Sequence, residues 1–397
     1  MRELGLRMGF AMAAIAAASL LMGAKPSPQS LPLIMENADR LEGMRSTGEY
    51  VLSGNVRFRH GDLRFETPRA LWQRDQNKVS SNEGMRITNR GALLTSDRGS
   101  YDKAGSNAVA EGRVFMRDSA NEVNGTSEQL VYNRVARLAT MTGNPHVRRF
   151  YPATVSDSGK WRAPDTLTLT GRLLRYNEAR GVADAEGDVV ITRRGLRITC
   201  GRAEYHQKED SLFLFDKPLV KVDDSEVRGQ VMRFGLAGDT LRGLRVRGDA
   251  QAMSVEKATD STKARQSKVT GDSLFVAFKG GSIDSVQVFT KAEGTYWELE
   301  KPQYVNQLNG NYMVLRFGEG EPREAEVWGA ARSTYFHFEG DTLKGKNRAW
   351  GDTIAFGFRR GKVEDVLVKG SSQGVYEGRT LAGKSRADSL RTGKGKK

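Results

Sequence analysis

Apolar and polar residues alternate along most of this chain with a period of two. Val56-Arg57-Phe58-Arg59 and Leu63-Arg64-Phe65-Glu66 each send apolar side chains to one side and mostly charged ones to the other, as a half-buried strand does. His60-Gly61 between them is a hairpin signal. Asn89-Arg90-Gly91 and Arg193-Arg194-Gly195 hold the same place in later segments, and the apolar pairs Val114/Met116 and Val189/Ile191 repeat the alternation. Further on, Leu274, Val276 and Phe278 share a face, as do Met313, Leu315 and Phe317, and Ile354, Phe356 and Phe358. No 3.6-residue stripe follows the N-terminal apolar run. Glycine recurs about every 10 to 15 residues, which would break any helix. The pattern predicts an all-β body of short antiparallel strands joined by tight turns.

The strands come in repeats. Three C-terminal segments begin at Gly271-Asp272, Gly310-Asn311 and Gly351-Asp352. Each carries a phenylalanine (Phe278, Phe317, Phe358), then a glycine (Gly281, Gly320, Gly361), then a valine (Val288, Val327, Val368) in register. A fourth, slipped copy starts at Gly229. In the N-terminal half a glycine followed by an alternating apolar pair recurs at Gly54, Gly84, Gly112, Gly143, Gly187 and Gly248. An insertion, Tyr151 to Asp165, interrupts it, and Asp216-Lys217-Pro218 stands where one glycine-led turn is expected. One unit cannot bury its apolar face alone, so units must stack. About ten units at ~4.8 Å per strand give an elongated body on the order of 50 Å long.

Composition narrows the function. One cysteine in 397 residues, Cys200, excludes a disulfide framework and a four-thiolate zinc site. His60, His146, His206 and His337 have no metal-ligand spacing, and no Gly-x-Ser-x-Gly or His-Glu-x-x-His occurs. The expectation is a non-enzymatic protein without cofactor or metal. Residues 1–24 read as a signal peptide: Arg2 and Arg7, the uncharged run Met8 to Met22, then Gly23 and Ala24. The alternative is an uncleaved inner-membrane anchor. The net charge is +14. The tail 379–397 holds seven bases against Asp388 and the leader two against Glu3, so half of the charge belongs to the body. An exported basic body is expected to meet anionic lipids or polysaccharides rather than nucleic acid.

The aromatic-ended strands Ala70-Leu71-Trp72, Leu130-Val131-Tyr132, Leu174-Arg175-Tyr176 and Ala203-Glu204-Tyr205 alternate with the openers Gly54-Asn55-Val56, Gly112-Arg113-Val114 and Gly187-Asp188-Val189. This succession resembles the OstA-like (LptA-type) periplasmic proteins of lipopolysaccharide export, best from Gly48 to Ala250 and in altered form to about Gly378. The resemblance implies an antiparallel β-jelly-roll, or β-taco, with an apolar groove for the acyl chains of lipid A. It also implies edge strands that join other jelly-roll proteins of the export machinery, and head-to-tail self-association. The chain is about twice the usual length of the LptA type. The organisation expected is a linker 25–46, OstA-like repeats 47–250, a charged insertion 251–268, further repeats 269–378 and a basic tail 379–397.

The candidate groove lining is Val56, Phe58, Leu63, Phe65, Val114, Met116, Val189, Ile191, Leu274, Val276, Phe278, Met313, Leu315, Phe317, Ile354, Phe356 and Phe358. Alternation alone favours a closed sandwich core, that is, a structural scaffold binding envelope glycans or proteins. The resemblance favours the open groove. Trp72, Tyr101, Tyr132, Tyr176 and Tyr205 either line lipid or pack across strands. Arg57, Arg59, Arg64, Arg193 and Arg194 read as an outward, solvated face, with phosphate at a groove mouth as the alternative. Asp223, Asp224 and Glu226 are a turn cluster that is more often solvated than calcium-binding.

Overall fold

The computed structural model describes residues 31–388 apart from 45–46, 106, 156–160, 238–239, 259–262, 281, 319–320, 360–361 and 380–384. The expected signal peptide, most of the tail and the repeat glycines Gly281, Gly320 and Gly361 lie outside the described residues. The described residues form strands and turns and no helix. The chain divides into two compact units after Leu214.

In the N-terminal unit, β1 (Ile34–Asn37) and β2 (Arg40–Met44) both pair with β3 (Glu49–His60). The same splitting recurs. The far half of β4 (Leu63–Gln73) pairs with β5 (Lys78–Ser81), and its near half with β6 (Met85–Asn89). Then β7 (Ala92–Ser96) and β8 (Arg98–Asp102) take opposite halves of β9 (Asn107–Asp118). Every pass of the meander therefore crosses two walls. Wall A holds 40–44, 49–53, 69–73, 78–81, 98–102 and 107–111, and continues through 129–133, 138–142, 173–177, 182–186 and 202–206. Wall B holds 34–37, 56–60, 63–67, 85–89, 92–96 and 114–118, and continues through 123–126, 146–151, 165–170, 189–193 and 196–200.

What bends the strands is local. At Gly54-Asn55 both residues are left-handed, with φ of 75° and 48°, and the β3–β4 register shifts there. Such a bulge kinks the strand, and the glycine adopts it without a Cβ penalty. Gly112-Arg113, Gly143-Asn144, Gly187-Asp188 and Gly248-Asp249 repeat it. These are the glycines that head the sequence repeat, so the repeat marks the corners. At several corners a polar side chain from an earlier bend of the chain clasps the second residue. Asn55 donates to Asp39 at 3.0 Å, and Arg113 donates to Asp97 at 2.6 Å.

The C-terminal unit uses the same device on longer strands. Wall C contains 240–247, 273–279, 282–289, 312–318, 321–328 and 353–359; wall D contains 250–256, 265–270, 293–298, 306–309, 332–339 and 345–351. The repeat glycines Gly271, Gly310 and Gly351 are not left-handed. Each instead leaves space for the valine of its own repeat: a Cβ on Gly271 would stand 2.6 Å from Val288, and one on Gly351 2.7 Å from Val368.

Two segments differ from the sequence reading. Residues 34–37 and 40–44, expected in a linker, are strands, because Met35 and Leu41 find register partners on β3. Residues 251–256 and 265–268, expected in a charged insertion, are the paired ends of a long hairpin running to Glu256↔Arg265.

Candidate functional site

The interior of each unit is the candidate site. In the N-terminal unit the walls face each other directly. The Phe58 and Trp72 rings, from walls B and A, are 5.6 Å apart. His60 Nδ1 and the Tyr101 hydroxyl share a hydrogen bond of 2.6 Å between the wall rims, both residues being buried. Burial, with the Arg134 and Lys103 cations nearby, holds the His60 imidazole below its ordinary pKa. At the corner, Thr67 and Ser81 hydroxyls meet at 2.7 Å.

All eight N-terminal residues expected to line the interior lie on wall B and are buried: Val56, Phe58, Leu63, Phe65, Val114, Met116, Val189 and Ile191. The nine C-terminal ones lie on wall C. Leu274, Val276, Met313, Ile354 and Phe356 are buried. Phe278, Leu315, Phe317 and Phe358, nearer the hairpin tips, are half-buried. The Phe356 and Phe358 rings stack at 6.4 Å.

The opposing walls were not read from the sequence, and they decide the character of each interior. Along wall A, cross-strand pairing builds one ladder: Trp72, Val79, Tyr101, Ala108, Tyr132, Ala139, Tyr176, Ala183 and Tyr205, an aromatic alternating with a small residue. The sequence shows these aromatics recurring at strand ends; the strand pairing adds that an Ala or Val stands between successive rings. Each ring spreads over a small neighbour, which suits the ~5 Å spacing of paired residues. Tyr101, Tyr132 and Tyr176 are buried. Burial, aided by the Glu178 charge, pushes the Tyr132 phenol up to about 12. Wall D has no such ladder. Its corresponding row is Ala252, Val269, Gly294, Leu308, Ser333 and Ala349, with Gly294 placed over Met313 of wall C.

The polar candidates resolve individually. Arg193 is not the exposed turn residue expected. It is largely buried, pairs with Asp165 at 2.7 Å and lies 4.0 Å from the Tyr151 ring centroid, because the insertion folds back onto it. Arg194 remains exposed and donates to the Ala163 carbonyl at 2.8 Å. In the acidic turn, Asp224 pairs with Lys257 at 2.7 Å and Glu226 with Arg228 at 2.8 Å. Among the described residues no group of three or more His, Cys, Asp or Glu is arranged to hold a metal, and no helix is long and apolar enough to cross a membrane.

Comparison with known proteins gives two findings. Residues 37–182 match the family described as LptA/(LptD N-terminal domain) LPS transport protein, a family of transport proteins and not of enzymes. LptH, the LptA-homologous periplasmic component of the lipopolysaccharide transport device of Pseudomonas aeruginosa, is similar at 11% identity with a TM-score of 0.26. That match covers 32% of this chain and 82% of LptH. No curated protein matches.

Proposed function

We propose that this chain is a periplasmic lipopolysaccharide-transport protein that holds lipid A acyl chains between its bent walls and passes them along an apolar trough. The observation that carries the reading is the columns of inward apolar side chains, which are continuous across paired strands within each unit, in a chain whose residues 37–182 match a lipopolysaccharide-transport family. The reaction is passive. Twelve methylenes of one acyl chain contribute on the order of 10 kcal/mol of transfer free energy before ordering costs, so no catalytic group is required. The C-terminal unit is the better entry, since Phe278, Phe317 and Phe358 are only half-buried. Export by the N-terminal leader supplies the compartment. Within the described residues β1 and β2 each pair with β3 alone, and the strand Lys362–Lys369 pairs with Thr342–Arg359 alone. These edges offer unpaired backbone to other jelly-roll proteins of the export machinery, or to another copy head to tail.

A photo-crosslinking residue at Phe356, compared with one at the outward Arg359, tests the groove once lipopolysaccharide is added. Adducts at 356 and few at 359 support it. No adduct at 356 from folded protein, nor at a parallel Phe58 probe, removes it. The second reading is a closed-core scaffold binding envelope glycans or proteins. The burial of every wall B residue from Val56 to Ile191 expected to line the interior favours this reading for the N-terminal unit.

A further inference from the structure

The charges of the N-terminal unit are divided between the outer faces of its walls. On wall A, bases and acids are interspersed and paired: Arg98 with Glu111 at 3.0 Å, Arg175 with Asp184 at 2.7 Å, Arg202 with Glu204 at 2.7 Å. On wall B, the outward cross-strand row nearest the hairpin tips carries Arg59, Arg64, Arg117, Arg148 and Arg197, separated only by Thr, Asn and Leu. Arg59 and Arg64 are direct cross-strand partners, an arrangement of like charges that costs stability. Among the described residues no ion pair involves Arg64, Arg117, Arg148 or Arg197. At one end of the row, Arg59, Arg64, Arg86 and Arg90 surround a hollow of about 840 Å3. Acids meet three of these four: Glu36 pairs with Arg59 at 2.5 Å, Asp62 pairs with Arg90 at 2.6 Å, and Glu66 lies 3.6 Å from Arg86, which leaves Arg64.

A second observation comes from the insertion that the interior does not use. It leaves wall B between the strands His146–Tyr151 and Asp165–Thr170. Phe150, beside Arg148 on the outer face, is 39% exposed, and Trp161 on the insertion is 65% exposed. An exposed aromatic ring beside an arginine row, as Phe150 is beside Arg148, is typical of surfaces that meet a lipid headgroup layer. A soluble polyanion would satisfy the arginines but gain little from Phe150 and Trp161.

We propose that the outer face of wall B is a docking surface for an anionic phospholipid leaflet, with the arginine row on lipid phosphates and Trp161 and Phe150 seated in the interface. The balanced face of wall A then turns to water. This inference is independent of what fills the interior.

The test is sedimentation of the full chain with phosphatidylglycerol-containing vesicles and with phosphatidylcholine vesicles. The apolar N-terminal run is common to every variant, so differences between variants are the readout. Arg117→Ala and Arg148→Ala are each expected to weaken binding to anionic vesicles about fivefold, with a shallower salt dependence. Arg69→Ala on wall A is expected to leave binding unchanged. Brominated lipid is expected to quench the wild-type fluorescence and to quench Trp161→Phe much less. Wild-type affinity in the Arg117→Ala/Arg148→Ala double variant overturns the proposal, as does equal binding to neutral vesicles. So does inorganic polyphosphate binding as tightly as the vesicles with no bromolipid quenching, which would identify a soluble polyanion instead.

Discussion

The two units bend their strands in the same way and fill the resulting space differently. In the N-terminal unit an aromatic ladder on wall A meets the apolar side chains of wall B, and the His60–Tyr101 bond ties the rims. In the C-terminal unit wall D presents Ala, Gly, Ser, Val and Leu at the corresponding row. There the outer phenylalanines of wall C are half-buried, and the rings of wall D, Tyr296 and Tyr335, come one inward position farther from the corner than this row. One backbone plan thus carries two interiors, one whose wall B lining is buried throughout and one whose wall C phenylalanines are half-buried near the hairpin tips. They also differ in the size of one row of side chains, on the wall that the repeat landmarks do not mark.

That contrast can be broken from several directions. Phe58 is completely buried, so Phe58→Ala is expected to cost about 3–5 kcal/mol. The half-buried Phe317, changed to Ala, should cost about 1 kcal/mol, because less area leaves water. Urea midpoints for the two variants give the difference, and equal losses would remove the distinction between the interiors. Filling is the converse test. Ala139, fully enclosed in the Tyr ladder, should not accept Phe without about 1–3 kcal/mol of strain. Ala349→Phe should be tolerated better and should lower lipid crosslinking at Phe356.

Smaller effects probe the corners. A Cβ on Gly112 would stand 2.7 Å from Asp97 Oδ2 at a φ of 71°, so Gly112→Ala is expected to lose about 1–2 kcal/mol. Thr290 takes the glycine place at its corner with φ 62°, an unfavourable state for a β-branched residue. Thr290→Gly should therefore raise the melting temperature, a gain of about 1 kcal/mol. The smallest effect is in pH. His60 has a lowered folded-state pKa, so the unfolded chain takes up its proton first on acidification. Its contribution to stability is present above the ordinary value of about 6.5 and is lost as pH falls from there toward the folded pKa. Thermal melts across that window should show the N-terminal unit losing stability, and His60→Asn should flatten the slope.

Much of this was legible in the chain. Alternation such as Val56-Arg57-Phe58 fixed the β class and which side chains turn inward, because a strand has a period of two whatever surrounds it. The Gly-x-Val openers located the corners, since two successive left-handed residues favour glycine in the first place. The resemblance to the LptA type, carried by those openers and the aromatic strand ends, agreed with the family matched over 37–182. Arg193 was misread because its partner Asp165 lies 28 positions away across an insertion. Residues 34–37 and 40–44 were misread because an edge strand needs only one neighbour and little apolar sequence.

Local sequence therefore determined strand, corner and the inward face, all of which depend on residues a few positions apart. Tertiary structure alone decided what stands opposite each inward face: an aromatic ladder across from wall B, with Trp72 against Phe58, and a row of smaller residues across from wall C, with Gly294 over Met313. Side-chain volume is summed across two walls that meet only after folding, so no stretch of one strand records whether the space between them is filled.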